Sequence, residues 1–345
     1  MFSAHRNISK VLVAVAGVAV ASALAIVLSL SLVNSANADA NSEDKLYGET
    51  LSSRGMSVKN CPNIGAEYAC LIKKDGEVVY ERNAYGHTQI ASLTKIMTAI
   101  IAIENSDLND KITITKKAYE IGESSAGVWP DDELDMKTAL IAMLVPSGND
   151  AAESIGQAIG QRLVDDKDDR IRNKSKEDVA NEARENGISE EDVEDVFITD
   201  NEQAFVRLMN LKAEELGCEN TNFTNPHGLA DEDFYSEDQY SCAIDIIMIT
   251  KYAMQIDLFR EIVAMGDTTI TVQRNGQATP IDVATTDILV GTFEGCIGVK
   301  TGHTEIGKSC FSGACVDEDG DEFYTVVLKS EDETARFVDT QNLFN

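Results

Sequence analysis

Basic residues are scarce in this chain. Lys and Arg number 29 against 59 Asp and Glu, for a net charge of −30. Neutralising a phosphate backbone takes clustered cations, so nucleic acid is not expected as a partner. Adhesion of the folded part to anionic lipid is disfavoured for the same reason. A strongly solvated acidic surface is what this balance describes. Histidine is scarcer still, at four, and no C-x-x-C pair occurs. Both facts argue against zinc, and no metal or other cofactor is expected. Asp317-Glu318-Asp319-Gly320 is acidic but lacks the rest of a calcium-binding loop, so it reads as a hairpin turn. No internal repeat is visible.

The chain has 345 residues, 43% of them hydrophobic, enough for a sizeable core. Residues 1–38 read as a signal peptide or an N-terminal anchor. Arg6 and Lys10 start it, an uncharged apolar run spans Val11 to Val33, and Ala36-Asn37-Ala38 and Ala38-Asp39-Ala40 both fit a cleavage site. The run is also long enough to span a bilayer. Either way the folded part is expected outside the cytoplasm. A loose linker is expected at 39–60 and a catalytic domain at 61–345, with an acidic insertion at 165–200. The chain ends at Asn345 without an amphipathic anchor, so membrane contact is expected only through the N-terminal segment. Seven cysteines in an exported chain leave at least one unpaired. Cys61 with Cys70 and Cys218 with Cys242 are candidate pairs. Cys310 and Cys315 lie an odd number of residues apart on one expected strand, so they face opposite sides and do not bridge.

Strands are expected at Glu67–Ile72 and Glu77–Arg82, joined through Asp75-Gly76, a hairpin signal. Lys111–Thr115 alternates like a short strand. Helices are expected from Ser92 through Ile103, over Met136–Leu144, from Asn149 to Ile159, over Ala204–Leu216 and over Cys242–Met254. The end is β-rich, at Thr268–Gln273, Cys296–Thr301, Lys308–Val316 and Phe323–Lys329, before a helix from about Glu333 to Leu343. This order predicts an α+β fold: an antiparallel sheet built from both chain ends, flanked by helices, with a mostly helical subdomain inserted. A cleft between the lobes is the expected site.

Three motifs carry chemistry. In Ser92-Leu93-Thr94-Lys95 the serine and lysine stand at i and i+3 of one helix, on one face. A neutral lysine there can take the serine proton, and burial with a second cation, Lys300, would keep it neutral. The Ser92 N–H can also stabilise an oxyanion. Read alone, the pair is a cap serine and a surface lysine. Ser147-Gly148-Asn149 falls between two helices; Ser147 can relay a proton to a leaving amine and Asn149 can hold a substrate backbone. Its plain reading is a helix N-cap. Lys300-Thr301-Gly302 lies on an apolar edge-strand pattern. Lys300 and Thr301 suit an anionic substrate group, Gly302 allows close backbone approach, and the His303 N–H is a second oxyanion donor. Its plain reading is a surface turn.

Together these motifs resemble the D-alanyl-D-alanine carboxypeptidases, the low-molecular-mass penicillin-binding proteins. The segments Ala91–Ala99, Val145–Ala152, Asn225-Pro226-His227-Gly228-Leu229 and Val299–Thr304 all look like that family. The resemblance implies a β-lactamase/transpeptidase-like fold. It implies a Ser92 acyl-enzyme that removes the terminal D-alanine from peptidoglycan stem peptides ending in D-Ala-D-Ala, with Lys95 as base and β-lactams as covalent inhibitors. It also implies that Arg336 binds the terminal carboxylate. One alternative is a class A-like β-lactamase, but the Glu-x-x-Leu-Asn loop that activates deacylating water is not found between Ser147 and Lys300. The other is an inactive wall-binding homologue, against which the intact Ser92, Lys95, Asn149 and Lys300 argue.

Overall fold

The computed structural model describes residues 45–46, 49–50, 62–172, 181, 184–185, 197–230 and 238–345. The expected signal segment at 1–38, most of the linker, Cys61 and much of the acidic insertion lie outside the described residues.

The Asp75-Gly76 turn closes a hairpin between β3 (Tyr68–Lys73) and β4 (Val78–Arg82). Gly76 sits at φ +100°, which glycine adopts without Cβ strain, and its N–H donates to Lys73 O. At the other end of the sequence, β9 (Cys296–Thr304), β10 (Lys308–Val316) and β11 (Glu322–Ser330) form a meander. The two pieces join where β3 pairs with β11, with Leu71 opposite Thr325. Two further strands, β1 (Lys45–Leu46) and β2 (Glu49–Thr50), extend this sheet beside β4, although the linker there reads as loose. The antiparallel order is β2-β1-β4-β3-β11-β10-β9, which leaves β9 at an edge.

One face of the sheet is covered by α6 (Ala243–Ala253), behind which lies α1 (Thr94–Asn105). Every residue from Thr94 to Ala102 is buried, the mark of a helix enclosed on all sides. The other face is covered by α8 (Ala335–Phe344), whose Phe337 and Leu343 share a core with Leu71, Tyr80, Phe311 and Val327.

The second lobe holds α2 (Lys116–Glu120), α3 (Met136–Leu144), α4 (Asn149–Asp166) and α5 (Asn201–Glu215), with α7 (Asp257–Val263) beside it. It is less purely helical than the sequence predicts. A four-stranded sheet, β5-β6-β7-β8, runs through it, from β5 (Lys111–Thr113), β6 (Glu133–Asp135), β7 (Thr268–Arg274) and β8 (Gln277–Val283). The expected strands Lys111–Thr115 and Thr268–Gln273 supply β5 and β7, whereas β6, three residues long, is too short to show a period of two and β8 carries a proline. Pro280 is tolerated because β8 is an edge. Cys218 and Cys242 are buried thiols rather than the disulfide partners that sequence position suggests; Cys218 Sγ points to Asp245 O at 3.6 Å. Among the described residues no helix is long and apolar enough to cross a membrane.

Candidate active site

The chain enters α1 through a single 3-10 turn, Ala91–Leu93, so Ser92 precedes the α-helix instead of opening it. Ala91 has φ +50°, strained for a residue with a Cβ. The strain is held from two sides. Thr94 Oγ1 donates to Ala91 O at 2.9 Å, and Gly228 packs so closely that a Cβ there would lie 2.0 Å from Ala91 O. The Asn225–Gly228 turn thus forms a back wall behind the Ser92 turn. Thr98 Oγ1 donates to Pro226 O at 2.6 Å and fixes it to α1.

Lys95 is fully buried. Its Nζ lies 2.7 Å from Ser92 Oγ, 2.7 Å from Asn149 Oδ1 and 2.9 Å from His227 O. None of these three partners is an anion. Burial pushes the Lys95 pKa well below its ordinary value and the Lys300 charge pushes it further, against the pull of Asp150. The plain reading of a surface lysine is therefore wrong here. His227 is also buried, and burial pushes its pKa well below the ordinary histidine value.

Ser147 and Asn149 do not act as N-caps. Gly148 occupies that position, without a side-chain cap bond. Asn149 instead spans from Lys95 to Gly122 O, to which its Nδ2 donates at 3.0 Å, while its backbone N–H donates to Ser124 O. Ser147, which lines the same cleft as Ser92, stands at φ +66°, a second strained residue of the site. Asp150 anchors the turn, accepting from Ser125 Oγ at 2.6 Å and from the Ala126 and Ala151 N–H groups.

β9 brings the third motif alongside. Lys300 is 1% exposed and Thr301 4%. A Cβ on Gly302 would sit 3.0 Å from Ile90 O and 3.2 Å from Ser92 N, so only glycine lets the strand lie against the serine turn. Thr301 Oγ1 donates to Thr286 Oγ1 at 2.6 Å or accepts from it. Arg336, on α8, donates to Gly302 O at 3.0 Å and to Glu333 at 3.2 Å. Burial lowers the Lys300 pKa to about 7, helped by Arg336 and opposed by Asp287. Burial likewise raises Asp287 to about 6.

A cleft of about 360 Å³ opens between the lobes, and Ser92, Ser147, Thr301, Gly302, His303 and Arg336 all line it. All nine residues singled out from sequence converge here: those six line the cleft, Lys95 donates to both Ser92 and Asn149, and Lys300 neighbours Thr301 on the same strand. Sequence reasoning gave no role to Asp150, to the His227 carbonyl, or to Thr286 and Asp287. The Asn225–Gly228 turn was a signal for the second of these. Thr286 and Asp287 carry no local pattern. Among the described residues no three His, Cys, Asp or Glu side chains are arranged to hold a metal ion.

An α+β frame thus carries a serine hydroxyl 2.7 Å from a buried lysine amine where its two lobes meet. Its fold is that of the crystal structure of the Streptomyces K15 DD-transpeptidase, matched with a TM-score of 0.67 at 24% identity over 82% of this chain and 97% of that one. The D-alanyl-D-alanine carboxypeptidase family model matches residues 55–162 and 196–332, and the chain belongs to that family. Relatives include the D-alanyl-D-alanine carboxypeptidase DacF of Bacillus subtilis, 28% identical over 255 residues, covering 72% of this chain. The chain spans only 54% of that relative's length. A D-alanyl-D-alanine carboxypeptidase of Streptomyces sp. strain K15 is 27% identical over 278 residues, covering 78% of this chain and 82% of its own.

Proposed function

We propose that this chain is a serine D-Ala-D-Ala carboxypeptidase acting on peptidoglycan stem peptides. The observation that carries the reading is the 2.7 Å contact between Ser92 Oγ and a fully buried Lys95 amine that has no anionic partner within hydrogen-bond reach. An ammonium in that place is costly, so the amine is poised to be neutral and to accept the serine proton. Ser92 then attacks the carbonyl between the two D-alanines. The developing oxyanion faces the Ser92 and His303 N–H groups. Ser147 passes the proton from Lys95 to the departing amine, and Asn149 keeps Lys95 and the peptide in register. Lys300, Thr301 and Arg336 receive the terminal carboxylate. The substrate backbone lies along the open edge of β9, beside Gly302. Water, activated by the same amine, frees the shortened peptide.

The same geometry suits a β-lactam, whose carbonyl and carboxylate replace those of the peptide. The expected site of action is the cell wall, after export. Incubation with a D-alanyl-D-alanine-ended peptide should release D-alanine, and a fluorescent penicillin should leave a lasting adduct. Both should vanish in Ser92→Ala. An adduct of unchanged yield in that variant removes Ser92 as nucleophile. Rapid turnover of the drug would instead favour a β-lactamase, and neither reaction an inactive homologue.

A further inference from the structure

Cys296 and Cys315 stand directly opposite each other on the antiparallel strands β9 and β10. A bulge lies beside them, between Ala314 and Cys315, so they meet as one pair at the strand ends. The hydrogen bonds around the pair settle its type. The Val316 N–H donates to Gly295 O at 2.9 Å, outside the pair, whereas the Cys296 N–H turns away to Phe293 O. That pattern belongs to a non-hydrogen-bonded pair, the kind whose Cα atoms lie about 4.5 Å apart with side chains on one face. Disulfides need Cα separations of roughly 4.4–6.8 Å. Both sulfurs stay close to the backbone at this corner. Cys315 Sγ lies 3.8 Å from Glu294 O, and Cys296 Sγ lies 3.6 Å from Gly298 O. Both are thiols in this structure.

We infer that Cys296 and Cys315 are a cross-strand disulfide site, closed by a small-molecule disulfide such as oxidised glutathione. One thiolate attacks a glutathione sulfur and releases one glutathione thiolate. The second cysteine thiolate then attacks the protein sulfur of that mixed disulfide and displaces the other glutathione. Two protein thiols are oxidised, one glutathione disulfide is reduced, and the two protons end on the glutathione thiols. Cys296 is the entry point, since it is partly exposed while Cys70, Cys218, Cys242 and Cys310 are buried. Burial and the charge of Asp287 raise the Cys296 thiol to about 12, and burial with Asp317 raises Cys315, so closure is slow at neutral pH and faster in alkali. The link fastens the start of the strand that carries Lys300, and it does not depend on the activity proposed above.

The test uses the folded full chain, incubated with oxidised glutathione at mildly alkaline pH, then alkylated, digested and analysed by mass spectrometry with fragmentation to separate Cys310 from Cys315. The expected result is a peptide joining Cys296 to Cys315, lighter by two hydrogens than its free parts. Tm should rise by roughly 5–10 °C on oxidation and fall back with reductant. Cys296→Ser and Cys296→Ala should each lose that oxidant-dependent shift. Recovery of both residues alkylated, a stop at the glutathione adduct, or a link to any other cysteine overturns the inference.

Discussion

In the proposed reaction, Lys95 and Lys300 must hold different protonation states side by side. Lys95 has to be neutral to take a proton, and Lys300 has to be charged to hold a carboxylate. Both hydrogen-bond to neutral oxygens and each has one carboxylate nearby, Asp150 for Lys95 and Asp287 for Lys300, yet Lys95 is pushed well below its ordinary value and Lys300 only to about 7. With Lys300 near 7 in the free enzyme, its charge is present below that pH and is lost above it. We therefore expect kcat/KM for a D-alanyl-D-alanine-ended peptide to fall above about pH 7, while kcat holds to higher pH because bound carboxylate keeps Lys300 charged. Lys300→Arg should remove that alkaline limb, since arginine stays charged there. A limb unchanged in Lys300→Arg would show that another group causes it. Asp287 belongs to the same balance, and nothing in its sequence surroundings announces it.

At the scale of elements, Glu322 at the start of β11 ties three parts together. It accepts two bonds from Arg260 on α7, at 2.7 and 3.2 Å, one from Lys74 in the β3–β4 turn at 3.0 Å, and one from Tyr324. Burial works to raise its pKa, but the bonds from Arg260, Tyr324 and Lys74 outweigh it and hold the carboxyl at about 2. A carboxyl lowered from 4.5 to about 2 stabilises the fold above 4.5, and that support is lost as pH falls through 2. Glu322→Gln should cost on the order of 2 kcal/mol at pH 7. The gap to the parent should narrow steadily below pH 4.5 in denaturant titrations, and a gap independent of pH would refute the assignment. This level also shows what a sequence can disclose. The Ser92–Lys95 spacing, the Asp75-Gly76 hairpin and the run Met136–Leu144 were legible because their causes are local. Of the sheet β5-β6-β7-β8, β5 and β7 were legible as strands, but β6, only three residues long, and β8, which carries Pro280, were not. Nor was the 3-10 turn at Ser92, which is held by Gly228 from more than a hundred residues away.

Across the whole molecule, an excess of 30 negative charges repels itself in the compact state. Screening should relieve this, so Tm should rise as NaCl goes from about 0.05 to about 1 M. A Tm that falls steadily with salt would mean that local ion pairs outweigh the overall repulsion. The sheet has a different consequence at this scale. Thr325 Oγ1 on β11 donates to Cys70 O on β3, a partner 255 positions earlier, so the central pairing forms only once the far end of the polypeptide arrives. Contacts so distant along the chain are slow to form. Until they do, the β9–β10–β11 meander is not held beside Ser92, and the Lys95 side chain remains in water as an everyday ammonium. On the proposed mechanism a half-made molecule lacks an activated serine, which comes into being only when the two chain ends have met.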